Sequence, residues 1–268
     1  GGPLTGDDGW LTGLADYLRA RHYSPQFIEQ YARPIGASIW SAAPEMMNKF
    51  PARHFVRFFN HHGVLDVRKA PQWRFITGGS RSYVSKLIAP IKNRIRLSTK
   101  VQHLTRYHDH VKLRLADGSE VPFDHAVLAT HSDQALALLS APTQAEREIL
   151  GAIAYQPNDV TLHTDASLMP RSRRAWSSWN YLVPTAPQAR VAVTYWMNLL
   201  QAIPSSTPLF VSLNCQERID PGKTIKRLHY HHPVYTAQTL AAQARHKQIS
   251  GANRVHYCGA YWKHGFHE

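Results

Sequence analysis

The sequence is poor in cysteine, in acidic residues and in long apolar runs, and each shortage excludes a class of protein. Cys215 and Cys258 are the only cysteines among 268 residues, too few for a disulfide-stapled fold or a cysteine-based zinc site. Two cysteines fit a reducing compartment, so we predict a cytoplasmic location. No run approaches the roughly 20 apolar residues of a membrane-spanning helix, which leaves only peripheral membrane contact open.

The shortage of acidic residues leaves the chain strongly basic. Its 31 lysines and arginines outnumber 18 acidic residues, for a formal net charge of +13, and such a balance suits an anionic partner. The basic residues are scattered, however, and the densest group is Arg171, Arg173 and Arg174. No zinc-finger spacing or RNA-binding aromatic motif accompanies them. We therefore expect no nucleic-acid partner, and keep a basic binding module for nucleic acid or anionic lipid as the alternative function.

Histidine is abundant, with 17 residues, which raises the question of a metal site. His229, His231 and His232 share a possible strand, and His61 and His62 are adjacent. Neither group has a nearby cysteine or the H-E-x-x-H spacing that orients metal ligands on a helix. We predict no metal site. Cys258 lies in an apolar run and is interpreted as a small core residue.

Apolar periodicity predicts helices in the first 65 residues and mainly strands afterwards. Helices are predicted over 8–21, from the cap Ser24-Pro25 onward with a bend at Pro34, and over 52–60. Alternating residues from 95 onward predict strands, with a hairpin turn at 116–119. Thr143 and Glu146 form a capping-box pattern. The remaining predictions are strands near 125–130, 160–164, 175–181, 190–196, 209–214 and 255–259, and helices over 133–139, 144–153 and 240–247.

Gly78 and Gly79 follow an apolar segment and precede a predicted helix that starts at Ser80. Adjacent glycines allow positive φ and let backbone approach a ligand closely. The free amides of a helix start could then bind a phosphate or a ring system. A glycine pair also occurs in many ordinary turns, so this pair alone does not establish a site.

The order of these segments resembles the flavin-containing amine oxidase and protoporphyrinogen-oxidase-like superfamily. In that family a Gly-Gly loop and helix precede a strand whose valine contacts the adenine of FAD, a hairpin, and a strand that ends in an Ala-Thr turn. The matching residues here are Gly78, Gly79 and Ser80, then Val101, then Ala129, Thr130 and His131. Further similarity extends along nearly the whole chain, at 38–40, 50–51, 163–165, 176–180 and 195–198.

The end of the chain resembles the family's C-terminal flavin-contacting segment. The resemblance implies that cofactor contacts come from Gly259, Ala260, Tyr261, Trp262, Phe266 and His267. Ala260 departs from many relatives, which carry an acidic residue at this position to bind a ribityl hydroxyl. The family's G-x-G-x-x-G pyrophosphate motif does not occur in the sequence. We therefore expect the native gene to extend upstream and this polypeptide alone to bind FAD weakly or not at all.

A flavin performs hydride transfer itself, while the protein orients the substrate and excludes water. No catalytic residue is identified from the sequence. Aromatic side chains suit an apolar or cationic substrate, and Trp176, Trp179, Tyr195 and Trp196 are candidate pocket residues, with packing inside a sheet as the other interpretation.

The prediction is an α+β protein with FAD as its cofactor. We assign 71–142 and 248–268 to an incomplete FAD-binding lobe, and 1–70 and 143–247 to a substrate lobe of helices on a mixed sheet. The resemblance implies FAD-dependent oxidation of a small or lipid-like molecule by hydride transfer to flavin. A structural remnant without activity is the third interpretation.

Overall fold

The computed structural model of the protein describes residues 13–65, 72, 74–182 and 190–265. The chain forms two compact units. Unit 1 comprises Gly1–Tyr83 and Gln156–His232, and unit 2 comprises Val84–Tyr155 and Pro233–Glu268. These bounds differ from the boundaries expected from the sequence, because 71–83 falls in unit 1 and the segments 143–155 and 233–247 fall in unit 2. Which unit holds the cofactor and which the substrate stays a prediction.

The N-terminal part of unit 1 is helical, as the apolar periodicity predicts. Ser24 caps its second helix, because the Phe27 amide donates to Ser24 Oγ at 3.1 Å. At Pro34 the chain forms a π-helical segment, Ile28–Ala32, in which the Arg33 amide reaches back five residues to the Ile28 carbonyl. This wider turn precedes the proline, which has no amide hydrogen to donate. The helices are α1 Leu14–Ala20, α2 Pro25–Phe27, α3 Arg33–Trp40, α4 Met46–Lys49 and α5 Ala52–His61.

An aromatic cluster forms the core of these helices. The ring centroids of Trp40 lie 4.4 Å from those of Phe50 and 4.9 Å from those of Phe58. Phe55 and Phe59 stack at 4.2 Å, and all five side chains are buried. Such rings bury large apolar areas, so the helix predicted over 52–60 is confirmed as a core element. Part of the helix predicted over 8–21 lies outside the described residues.

The second part of unit 1 is a five-stranded sheet in the order β6-β7-β8-β5-β9. Its pairs β6–β7, β7–β8 and β8–β5 are antiparallel. The predicted strands are confirmed with shorter or shifted bounds. Only the possible strand at His229–His232 indicated β9 in the sequence, because most side chains of β9 are exposed and show no apolar alternation. The bounds are β5 Tyr155–His163, β6 Trp179–Tyr181, β7 Val193–Trp196, β8 Phe210–Leu213 and β9 Thr224–Pro233, with the helix α9 Met197–Leu200 between β7 and β8.

Unit 2 contains an antiparallel sheet in the order β1-β2-β3. The predicted hairpin is confirmed, since the Leu115 amide donates to the Ser119 carbonyl at 2.9 Å. The strand expected from residue 95 is wrong, because the sheet begins only at Val101. Ile95 and Leu97 follow a helical segment and are 38% and 83% exposed, so they have no buried face to match. The bounds are α6 Ser80–Ile88, which belongs to unit 2 from Val84 onward, a 3-10 segment Ala89–Arg94, β1 Val101–Arg106, β2 Val111–Leu115 and β3 Glu120–Phe123.

A second sheet in unit 2 pairs two parallel strands, β4 Ala126–Leu128 and β10 Val255–Tyr257. Four helices belong to the same unit: α7 Ser132–Leu138, α8 Gln144–Gly151, α10 Ala237–Ala244 and α11 His246–Ile249. One core joins strand residues such as Leu128 and Val255 to helix residues such as Ile149 and Ile249. The predicted capping box is confirmed, with Thr143 Oγ1 accepting from the Glu146 amide at 3.2 Å. The helix expected over 240–247 is divided in two around Arg245.

Candidate functional site

The candidate site lies where β4 and β10 end. The strands pair in parallel register, with Val255 opposite Ala126 and Tyr257 opposite Leu128. The Cys258 amide continues the ladder by donating to the Leu128 carbonyl at 3.1 Å. Because parallel strands present their carboxyl ends at one edge, the segments 129–131 and 258–262 come together there. In open α/β sheets this edge is where ligands bind.

Gly259 gives the edge its shape. Its φ of +153° is a conformation that L side chains rarely adopt, and a Cβ there would lie 2.5 Å from Cε1 of Tyr261. The Trp262 amide donates back to the Gly259 carbonyl at 3.2 Å. The chain therefore turns sharply after β10, and both aromatic side chains that follow are buried, at 5% exposure for Tyr261 and 9% for Trp262.

Gly259→Ala should lower the free energy of unfolding by about 2 kcal/mol, from backbone strain and from the displaced Tyr261 ring. Urea unfolding followed by circular dichroism measures it. Gly118→Ala is the matched control, since Gly118 also has positive φ, +84°, but a Cβ there meets nothing within 4 Å. Equal losses in the two variants would contradict the steric argument.

His131 lies at this edge directly after Ala129 and Thr130. Its ring stacks on Tyr155, with centroids 4.2 Å apart and planes 10° from parallel, and its amide donates to Gln134 Oε1 at 3.3 Å at the start of α7. The Tyr155 Oη accepts from the Ser132 amide at 3.2 Å, and burial raises the pKa of Tyr155 to about 12. These contacts position His131, while its contact with a cofactor stays a prediction.

The buried carboxylate of Glu146 links the helix α8 to β1 and to β10, the strand that ends at this edge. Glu146 accepts from Arg106 Nη1 at 2.7 Å and from Tyr257 Oη at 2.6 Å, and its other oxygen accepts from the Thr143 amide at 2.7 Å. Burial alone would raise the pKa of Glu146, but the hydrogen bonds from Arg106, Tyr257 and Thr143 outweigh it and lower the pKa. The sequence showed only the capping box, and nothing in it signals the link to β1 and β10.

The glycine pair forms the turn before α6, as predicted. Gly78 and Gly79 have φ of +81° and +73°, and Ser82 Oγ donates to the Gly79 carbonyl at 2.8 Å. A Cβ on Gly79 would meet no atom of the described residues within 4 Å, so among those residues only the backbone conformation requires glycine. Val101 begins β1 opposite Leu115. Cofactor contacts of Gly78, Gly79, Ser80 and Val101 stay predictions, and Phe266 and His267 lie outside the described residues.

The four aromatic candidates form two separate pairs. Trp179 and Tyr195 are cross-strand neighbours whose centroids lie 5.6 Å apart. Trp196 lies next to Tyr195 in β7, so it points to the opposite face of the sheet, where it meets Trp176 at 5.3 Å. The structure therefore does not bring the four together in one cluster, and a role in substrate binding stays a prediction for each pair.

A chain of buried polar groups crosses the unit 1 sheet. His163 is fully buried, and its Nδ1 accepts from the Asp165 amide at 3.1 Å. The other nitrogen, Nε2, therefore carries the proton and donates to Ser212 Oγ at 2.8 Å. The Ser212 hydroxyl also shares a hydrogen bond with Thr194 Oγ1 at 2.7 Å. The tautomer is thus defined by its partners, a role that sequence reasoning missed.

Asp165 lies next to this network in unit 1 and is held by backbone amides and a lysine. Its carboxylate accepts from the amides of Asp220 at 2.9 Å and Ser167 at 3.1 Å, and Lys223 Nζ lies 3.4 Å away. Burial would raise the pKa of Asp165, but these amides and the lysine outweigh it and lower the pKa to about 2. Asp165 therefore stays ionised at neutral pH and ties β5 to the loop before β9.

The described residues also bear on the sequence-based interpretation of Cys258, on metal-binding groups and on membrane-spanning helices. Cys258 is exposed, so its interpretation as a core residue is wrong: it follows the buried Tyr257 at the strand end. Burial raises the pKa of Cys215 to about 11. No group of three or more potential ligands that could hold a metal ion occurs among the described residues. In the same ranges no helix has the length and apolarity to cross a membrane.

Three solved structures illustrate the fold. They are a CLA-producing fatty acid isomerase from P. acnes (TM-score 0.69, 14% identity), a putative protoporphyrinogen oxidase from Exiguobacterium sp. 255-15 (0.62, 13%) and a cyclohexylamine oxidase from Brevibacterium oxydans IH-35A (0.63, 11%). The matches cover 96%, 96% and 98% of this chain but 63%, 65% and 66% of those chains. The chain thus spans just under two thirds of their length. No curated protein sequence matches significantly.

A family model supplies the assignment. Residues 36–224, more than half of the chain, match the model described as flavin containing amine oxidoreductase. The matched region covers the strands β5 to β8 of unit 1 and the strand β4, and it favours the oxidoreductase interpretation over the basic binding module. The α+β fold expected from the sequence agrees with it. The chain belongs to the flavin-containing amine oxidoreductase family.

Proposed function

We propose that the whole protein is a FAD-dependent oxidoreductase that oxidises a small or lipid-like molecule by hydride transfer to flavin, with oxygen or another acceptor regenerating it. One observation carries the proposal. The parallel pairing of β4 and β10 places Ala129–His131 beside Gly259–Trp262, two segments that the family resemblance independently assigns to the flavin. One similar structure is named for a fatty acid and another for an amine, which supports a small or lipid-like substrate.

The residues at this edge fit one part of a flavin site. Gly259 and Ala260 offer backbone with little side chain, Thr130 offers a hydroxyl, and Tyr261 and Trp262 contribute buried aromatic surface. No carboxylate occurs in 258–262, so a ribityl hydroxyl would need another partner. The pyrophosphate motif is also missing from the sequence. The chain therefore supplies the flavin-facing edge and leaves the phosphate contacts to other residues of the whole protein.

When bound, the flavin would supply the hydride acceptor. The residues of this chain would orient it and exclude water. Burial raises the pKa of Tyr261, so its phenol stays protonated and uncharged at neutral pH and adds no anion beside the ring. The network of Glu146 holds β10, and with it the edge, in a fixed position.

An exposed apolar stripe supports the proposal that more of the enzyme packs on unit 2. Apolar side chains recur at helical spacing from α6 through the 3-10 segment to the residue just after it: Val84, Leu87, Ile88, Ile91 and Ile95. They are 40%, 69%, 37%, 48% and 38% exposed. A contiguous apolar face of this kind marks an interaction surface. The part of the chain that the structure describes leaves it uncovered.

The experiment is the visible absorption spectrum of the protein expressed with its upstream coding region. We expect the absorption spectrum of bound flavin. We also expect Gly79→Val to raise the Kd for FAD by about tenfold, which corresponds to the loss of a contact worth about 1.4 kcal/mol. Gly118→Val is the matched control, since Gly118 also has positive φ and open space around it. A colourless, folded protein that does not take up FAD would overturn the proposal. Equal flavin content in the two variants would overturn the assignment of Gly79.

A further inference from the structure

Arg173 lies on two tryptophans in unit 1. Its guanidinium carbon lies 4.8 Å from the ring centroid of Trp176 and 5.9 Å from that of Trp196. The two indoles meet edge to face at 5.3 Å, and Trp176 Nε1 donates to the Pro170 carbonyl at 2.8 Å. Arg173, Trp176 and Trp196 together form what we call the arginine–tryptophan shelf. Its indoles are held by the sheet and the loop, so the guanidinium has a defined position.

The shelf carries positive charge without a counterion. Among the described residues, no carboxylate lies within 4.0 Å of Arg171, Arg173 or Arg174, and all three side chains are exposed. Stacking occupies the face of a guanidinium and leaves the N–H donors on its edge available. A planar fork of donors with free edges matches carboxylate and phosphate oxygens in a bidentate manner. The neighbouring arginines raise the potential for an anion and oppose an ammonium group.

We infer that the arginine–tryptophan shelf binds the carboxylate or phosphate head of an anionic ligand whose apolar body lies on the aromatic surface. Arg173 binds the head, and Trp176 and Trp196 hold the arginine in place. The binding step needs only unit 1 and no flavin. Substrate choice rests on the proposed oxidoreductase function: in that enzyme the shelf selects anionic amphiphiles over amines.

Isothermal titration calorimetry of the 268-residue chain tests the inference with four ligands of equal chain length. These are dodecanoate, dodecyl phosphate, dodecylamine and dodecanol, each kept below its micelle-forming concentration. We expect at least one of the two anions to bind about tenfold more tightly than the amine and the alcohol, the worth of one charge-assisted bidentate contact. The two anion arms show whether the head is a carboxylate or a phosphate.

Three variants locate the site. Arg173→Gln should weaken anion binding by about tenfold, and Arg173→Lys by less, because lysine keeps the charge but loses the planar fork. Arg218→Gln is the matched control, an exposed arginine of the same unit in the 3-10 segment Gln216–Arg218. It should leave binding within about twofold. Circular dichroism confirms that each variant is folded.

Two results would overturn the inference. One is that neither anion binds more tightly than the amine and the alcohol. The other is that Arg173→Gln and Arg218→Gln weaken binding equally, which would indicate general attraction to a basic surface. Because no flavin is present in the titration, failure here leaves the proposed oxidoreductase function untouched. Likewise, a whole protein that binds no flavin would not contradict anion binding at the arginine–tryptophan shelf.

Discussion

Glu146→Gln should lower the free energy of unfolding of unit 2 by about 3 kcal/mol, the range found when a buried ion pair loses one partner. The side chains of Glu146 and Arg106 are 2% and 12% exposed. The glutamine is almost the same size, so the change removes charge and acceptor capacity without opening a cavity. Arg106 then remains buried without its counterion, and the Tyr257 hydroxyl loses the carboxylate that accepts its hydrogen bond.

Urea unfolding followed by circular dichroism measures the effect, and Glu148→Gln is its matched control. Glu148 lies on the same helix and pairs with Arg245 at 3.0 Å, but its side chain is 45% exposed. Solvent screens such a pair, so we expect a far smaller change. The pKa of Glu146 is lowered in the folded state, so its contribution is present above the pKa of the unfolded state and is lost as pH falls. Equal effects of the two substitutions would contradict the assigned role.

His163→Ala should destabilise unit 1 by about 3 kcal/mol. The substitution leaves a cavity where the fully buried ring was. Removing a large side chain from a protein core costs about 2–5 kcal/mol. It also removes the hydrogen bond between His163 and Ser212 Oγ, which keeps its bond to Thr194, and leaves the Asp165 amide without its acceptor, which adds a desolvation cost. Tryptophan fluorescence during urea unfolding reports on unit 1 through Trp176 and Trp196.

The same residue makes the stability of unit 1 depend on pH. Burial lowers the pKa of His163, against the opposing effect of Asp165. The unfolded state therefore binds a proton that the folded state resists, and stability falls as pH drops below about 6.5, the ordinary histidine value. We expect His163→Ala to show a shallower decline in unfolding free energy between pH 7.5 and 5.5 than the parent protein.

His229→Ala is the control for both measurements on His163. His229 lies in the same unit and contacts Asp159 at 2.7 Å, but its side chain is 77% exposed. We expect little change in stability and an unaltered pH slope. A parent protein and a His163→Ala variant with the same slope would show that the buried imidazole is not the titrating group.

Local sequence signals determined much of the secondary structure. The cap at Ser24, the capping box of Thr143 and Glu146, and the hairpin at Asp117 and Gly118 all depend on residues within a few positions of one another. Such short-range chemistry operates whatever the rest of the fold does. The strand expected at Ile95 failed because two alternating apolar residues specify no pairing partner. The sequence indicated only part of β9, as a possible strand at His229–His232, because an exposed strand carries no apolar alternation.

The sequence by itself determined the family resemblance, the glycine turn at Gly78 and Gly79, and the chemistry available at Ala129–His131 and Gly259–Trp262. Only the tertiary structure decided that these last two segments meet, because parallel pairing joins strands by hydrogen bonds that leave no local signature. It also separated Trp176 and Trp196 from Trp179 and Tyr195, since alternate residues of a strand face opposite sides of a sheet. Burial likewise made Glu146 a counterion and His163 a neutral donor, since both roles require partners from distant strands.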